Sequence, residues 1–377
     1  MTTKRTALST LLVGFLFACG GNAPPPAAPP PAAPPPAPVA STPPPASTTP
    51  PPAPEPSAED KKKAEDAAKL ADARAKWDEK NKAELARWTP EMHTAAKTLA
   101  DKPYPSGKAG IEAAMKGPQR VPGDADRDKY RHPAETMAFF GLKPTMSVLD
   151  IGPGDGWYTE LLAPVLAKKG KYFATSQDPN GPADSPATFG GQRWAAFLAK
   201  APEIYGGVQT LVVDGKAPKL GSSDGSLDMV LAMREMHGWV NDGTAEAWLA
   251  EIHRVLKNGG VFGVVDHRAA PTADPKESAK NGYLPEKWVI STVEAAGFKL
   301  AGKSEINANP KDTKDYPDGV WDLPPSFRKK DVDHDKYAAI GESDRMTLKF
   351  VKAAPAAAAK TATAATPAAK PAAAKTP

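Results

Sequence analysis

The stretch Val148-Leu149-Asp150-Ile151-Gly152-Pro153-Gly154-Asp155-Gly156-Trp157-Tyr158 constrains the fold more than any other part of the chain. An apolar run ends in an acid, glycine takes every second position of the loop, and a helix-like segment opens at Trp157. Glycine lets the backbone turn sharply and approach a ligand, and the helix N-terminus adds the positive end of its dipole. Such a strand–turn–helix unit opens an α/β sheet, provided that the same rhythm continues after it.

It does continue. Glu135 to Leu142 reads as a helix, Ser147 to Ile151 as a strand, Trp157 to Lys168 as a helix and Lys171 to Ser176 as a second strand. A helix over Gln192 to Ala199 follows, then strands over Val208 to Val213 and Leu227 to Met233. Ala245 to Leu256 is amphipathic and stops at Asn258-Gly259-Gly260. Val261 to Asp266 is the fifth strand, Pro285 to Ala296 a helix, Phe298 to Ile306 the sixth strand and Arg345 to Val351 the last. Apolar strands alternating with helices predict a mostly parallel sheet covered on both faces. The long connection from Asn307 to Asp344 carries Tyr316, Trp321 and Phe327 and is expected to cap the substrate end.

Composition removes both ends of the chain from this core. Residues 19–57 hold most of a tract of Pro, Ala, Ser and Thr, with eighteen of the 43 prolines between Pro24 and Pro56. Such a tract buries no core and reads as an extended spacer of roughly 100 Å. Residues 353–377, of Ala, Lys, Thr and Pro, read as disordered. Residues 58–117 read as a charged helical segment, with acid–base pairs such as Glu65–Lys69 and Asp72–Lys76 and a sparse stripe of Leu70, Trp77, Leu85 and Trp88. Residues 118–352 are left as the folded domain. A net charge of 48 minus 44, or +4, argues against a nucleic-acid partner.

The first 18 residues read as a targeting segment: Lys4 and Arg5 precede an apolar run, Ala7 to Ala18, too short to span a bilayer. Leu16-Phe17-Ala18-Cys19-Gly20 resembles the lipobox of bacterial lipoproteins, which implies lipidation at Cys19, the sole cysteine. With Gly20 following, the resemblance implies a periplasmic domain tethered to the outer membrane.

Ligands of a doubly wound sheet sit at the carboxyl ends of its strands. The candidates there are His237, after the fourth strand, and Asp266 with His267, ending the fifth, Asp266 being placed either to orient His267 as a base or to cap the strand. Asn307 and Asn309 follow the sixth strand, and Tyr130, Arg131 and His132 precede the first helix of the domain. The six histidines show no metal-ligand spacing, so no metal is expected. Gly221-Ser222-Ser223-Asp224-Gly225 matches the pattern of a serine nucleophile elbow but leads into a strand, which excludes that chemistry.

Trp157 stands where a dinucleotide fingerprint expects glycine or alanine. The glycine turn instead resembles motif I of the class I S-adenosylmethionine (SAM) methyltransferases. Ser222 to Val230 and Glu251 to Gly260 resemble the same family's segments around its fourth and fifth strands. Gly154 to Glu160, Val264 to Arg268, Glu305 to Pro310 and Gly341 to Phe350 resemble a group of predicted bacterial methyltransferases with exported members. The resemblance implies strand order 3-2-1-4-5-7-6 with strand seven antiparallel, and SAM as cofactor. It implies that the backbone at Gly152, Gly154 and Gly156 cradles the cofactor, with Asp150 near its ammonium. The ribose acid is expected near Ser176, which leaves Asp178 two residues late, and Asp214 falls where the family contacts adenine. The implied function is methyl transfer to a small-molecule or envelope-component acceptor. A non-catalytic envelope protein that uses this fold for ligand binding or tethering is the alternative, and the oligomeric state is left open.

Overall fold

The computed structural model describes residues 57–353. The targeting segment, Cys19, the proline-rich tract and nearly all of the C-terminal tail lie outside the described residues.

Seven strands form one sheet: β1 (Ser147–Ile151), β2 (Lys171–Ser176), β3 (Gln209–Val212), β4 (Leu227–Met233), β5 (Leu256–His267), β6 (Phe298–Ser304) and β7 (Arg345–Lys352). Their order is β3-β2-β1-β4-β5-β7-β6, with β7 antiparallel to both neighbours and the remaining pairs parallel. This is the class I methyltransferase topology. Along the central strands, alternate residues enter two separate apolar layers. Val148, Met229, Leu231 and Met233 join Phe140 and Leu161 on one face. Leu149, Ile151, Val230 and Ala232 join Trp248, Phe262 and Val264 on the other. Because both faces are covered, β1 and β4 carry consecutive apolar residues, Val148–Leu149 and Met229 to Met233, rather than alternating ones.

Among the described residues five α-helices precede the sheet, the first three being α1 (Ala58–Arg87), α2 (Pro90–Asp101) and α3 (Gly107–Ala114). A capping box starts α1, with Asp60 N–H donating to Ser57 Oγ and Ser57 N–H to Asp60 Oδ2. One stripe of α1 docks on the Pro186–Ala199 helix. Arg74 donates to Gln192 Oε1 at 2.9 Å, Trp77 meets Phe189 edge-on, and Lys200 pairs with Glu84 at 3.1 Å. Leu85 lies off that stripe and is 48% exposed.

The packed core begins well before residue 118. Ala96, Ala100, Ile111 and Ala114 of α2 and α3 share a layer with Leu162 and Val165 of the sheet-covering helix. Pro103 and Pro105 lie in the turn between α2 and α3, and Gly107 opens α3, so this break in helical sequence falls inside the core. Ile111→Ala is therefore expected to cost about 2–5 kcal/mol of unfolding free energy. Leu85→Ala is expected to stay within about 0.5 kcal/mol. Chemical denaturation of both variants checks this; equal effects would place α3 outside the core.

Two boundaries differ from expectation. The helix before β5 ends at Val255, and Leu256 to Gly260, expected as the helix stop, extend the strand instead with a register shift opposite Leu227 and Met229. The short helix Met236–Asp242 was not legible, because Gly238 interrupts only about two turns of helix-forming sequence. The connection before β7 does form a cap: Tyr316, Leu323 and Tyr337 pack into their own small cluster, and Asn309 Nδ2 ties it down through Ile340 O and Glu342 O.

Candidate active site

A cleft of about 430 Å³ opens at the carboxyl ends of β1 to β4, where the chain order reverses. Gly152 and Gly154 form its lip. Gly152 holds φ at 65°, and its N–H donates to Thr175 Oγ1 at 2.9 Å. A methyl group at this position would collide with the carboxyl of Glu235 across the cleft. Gly156, with φ at 89°, lies outside the lining and instead makes room for the Phe197 ring.

Asp150 sits beneath the turn, fully buried and out of the lining. Its Oδ2 accepts from Tyr172 OH at 3.0 Å, while Oδ1 has no partner. Burial pushes its carboxyl up to about 7, against the opposing pull of the Tyr172 hydroxyl and Arg234. Glu235, which the sequence did not single out, lines the cleft and is driven well above the usual carboxylate range by burial.

The two acids assigned to ribose and adenine are not in the cleft wall. Asp178 accepts the N–H of Asn180, and Asp214 that of Lys216, each at 2.9 Å in an exposed turn. An acid just past a strand satisfies its own turn as readily as it meets a ligand. The wall presents Ser176, Gln177 and Val213 at these places, together with Trp239 and Trp248, whose rings stack at 5.3 Å.

A second cavity, of about 230 Å³, adjoins the same segment. Arg234, at φ 69°, turns the chain sharply from β4 into the Met236–Asp242 helix, its N–H held by Val265 O at 2.7 Å. As a result Glu235 lines the cleft while Arg234 and His237 line the second cavity. His237 Nδ1–H donates to Asp266 Oδ1 at 3.0 Å, and its backbone N–H to Oδ2 at 3.3 Å.

The sequence had placed Asp266 beside His267 either as its orienting acid or as a strand cap. In the structure the carboxylate grips His237, from the neighbouring strand's loop, and reaches His267 only through its backbone N–H at 2.8 Å. The His267 ring hydrogen-bonds Ser343 Oγ, and burial, with His237 and Arg345 nearby, holds it neutral. Asn307 and Asn309 are struts rather than site residues, Asn307 Nδ2 donating to Thr136 and Thr347. Arg131 does line the cavity.

His237, Asp266 and His267 bring potential metal-ligand atoms within 4.8 Å of one another, a grouping hidden in the sequence because two strands supply it. The carboxylate already accepts three N–H bonds. That is the pattern of a group orienting an imidazole.

Residues 149–264, from β1 into β5, match the protein family described as a methyltransferase domain. This segment resembles a methyltransferase domain. The cofactor of such domains is SAM, and the cleft at Gly152 lies within the matched residues. Ribosomal RNA large subunit methyltransferase E of Acidithiobacillus ferrooxidans is 30% identical over 112 residues, 28% of this chain and 51% of that protein. The chain thus spans about half the length of the curated relatives it matches.

Among solved structures, a SAM-dependent methyltransferase from Aquifex aeolicus is 18% identical, with a TM-score of 0.40, over 65% of this chain and 98% of that one. A TehB-like SAM-dependent methyltransferase from Corynebacterium glutamicum is 16% identical, with a TM-score of 0.32, over 60% and 98%. Most of the second cavity, including His267, Trp321 and Glu342, falls outside the domain match.

Proposed function

We propose that this protein is a SAM-dependent methyltransferase in which His237, held by Asp266, accepts a proton from the acceptor. The observation that carries this is the segment Arg234 to Trp239, which walls the glycine-turn cleft on one side and presents an oriented histidine to a second cavity on the other. When bound, SAM supplies an electrophilic methyl group on sulfur. The protein then has to align two molecules and take up a proton. Gly152 and Gly154 allow close backbone approach, Asp150 beneath the turn keeps an unpartnered Oδ1 for the cofactor ammonium, and Gln177 takes the place of Asp178 at the ribose. With Nδ1–H committed to Asp266, the lone pair of His237 lies on Nε2.

Asp150 gives the test. The ionised carboxylate attracts the ammonium, and its pKa of about 7 means that it ionises as pH rises through neutrality. At pH 6 about one molecule in ten carries that charge, so SAM should bind about tenfold more weakly than at its high-pH plateau. Asp150→Asn should flatten this dependence between pH 6 and 8. Calorimetric titration reads both, and an unchanged slope in the variant would remove Asp150 from cofactor binding.

We propose also that the chain is anchored in the cell envelope through lipid on Cys19, a reading supported by Leu16 to Gly20 alone. Among the described residues, no helix is long and apolar enough to cross a membrane. Mass spectrometry of the membrane fraction should find an acylated Cys19 peptide, and Cys19→Ala should release the protein. An unmodified cysteine in membrane-bound protein would contradict it.

A further inference from the structure

We propose that the second cavity holds the methyl acceptor by a carboxylate, so that the acceptor is a small organic acid bearing a hydroxyl nucleophile. This rests on the methyl-transfer reading above.

The cavity wall is unbalanced in charge. Arg127, Arg131 and Arg234 line it against a single carboxylate, Glu342. That carboxylate is already shared: Arg127 Nε and Arg131 Nε each approach it at 3.0 Å, and Arg345 Nη1, behind the wall, at 2.8 Å. Asp124 lies a further 3.8 Å from Arg127. Arg131 is only 2% exposed, yet its Nη1 has no hydrogen-bond partner, and Arg234 Nη1 is likewise buried and unpartnered. Leaving buried guanidinium donors unpaired is costly, and a carboxylate is the group that fits their planar fork.

Arg234 also faces Asp150 and Glu235, but its Nη1 donates to neither, which leaves that donor free to meet an incoming anion. Arg131 is fixed in place by the Trp157 ring beneath it, 4.7 Å from the guanidinium carbon.

The rest of the cavity sets size and shape. At about 30 Å³ per water-sized group, 230 Å³ admits about eight such groups. That suits a compact acid rather than a polymer. Trp321, Pro324 and Pro325 from the cap supply an apolar wall, and the Trp321 ring lies 6.3 Å from that of His237. A flat acid with its carboxylate on the arginines would therefore lie along Trp321 and carry its hydroxyl toward His237. In the transfer the hydroxyl oxygen bonds to the methyl carbon, and the carbon–sulfur bond breaks with its electron pair going to sulfur. The hydroxyl proton passes to His237, and the carboxylate stays bound and unchanged.

The test compares benzoate, 3-hydroxybenzoate and 4-hydroxybenzoate with their amides, titrated calorimetrically into the full protein with and without S-adenosylhomocysteine. At least one acid should bind tenfold or more tightly than its amide, and Arg131→Gln should erase that preference. Arg127→Gln, whose guanidinium is less buried, should weaken it at least threefold and serves if the first variant fails to fold. If the homocysteine product binds and no acid is preferred, the acid-acceptor proposal falls and the cofactor reading stands. If an acid is preferred but the product does not bind, the anion site stands and the cofactor reading falls.

Discussion

His237→Gln is expected to lower kcat by about 10²–10⁴-fold while SAM Kd stays within about twofold. The asymmetry follows from the division of the site: His237 lines the second cavity and not the cleft. Asp266→Asn tests the same pair from the other side. An amide at this position cannot accept all three N–H bonds that the carboxylate holds, so the His237 ring loses the fixed orientation that presents its Nε2 to the cavity. Its kcat should fall by about 10²-fold or more, again with little change in SAM affinity. Transfer of label from methyl-tritiated SAM to an acceptor that supports turnover gives kcat, and calorimetry gives Kd. A His237→Gln enzyme within threefold of wild type would end the proposed role of this residue.

Gly152→Ala should weaken SAM binding by about 10²-fold or more. Two effects act together. An alanine at φ 65° carries a conformational cost of about 1–2 kcal/mol, and its methyl group must displace the Glu235 carboxyl from the cleft wall. The variant should remain folded, with a melting temperature lowered by a few degrees, because the strain is confined to the one turn at the carboxyl end of β1. Binding retained within fivefold in a folded variant would show that the cofactor does not approach this turn.

The sheet was legible because its chemistry is local. β4 is apolar at every buried position, β1 and β2 depart from this only at Asp150, Thr175 and Ser176, and all three strands end at glycine, polar or charged residues, so the sequence bounds and the observed bounds coincide. The glycine turn was legible for the same reason: Gly152, Gly154 and Gly156 all hold positive φ. What escaped was long-range or ambiguous. Asp178 and Asp214 occupy the right neighbourhood in sequence, but each carboxylate closes its own Asx turn. The His237–Asp266 pair is assembled from β5 and the loop after β4, and nothing in the sequence separation announces it. The arginines around Glu342 come from positions as far apart as Arg127 and Arg345. Helices α2 and α3 were lost to the prolines and glycines between them, which mark turns inside the core as readily as linkers between domains.

The central claim is that the cleft at Gly152 is the cofactor site and that its reactive end meets the His237 cavity. The most direct measurement is a crystal structure of the protein grown with S-adenosylhomocysteine. The account predicts the ligand between Gly152 and Trp248, its amino-acid end over Asp150 and its sulfur facing the Glu235–His237 segment. A well-ordered protein with the ligand bound elsewhere, or with its cleft empty at millimolar ligand, would contradict it.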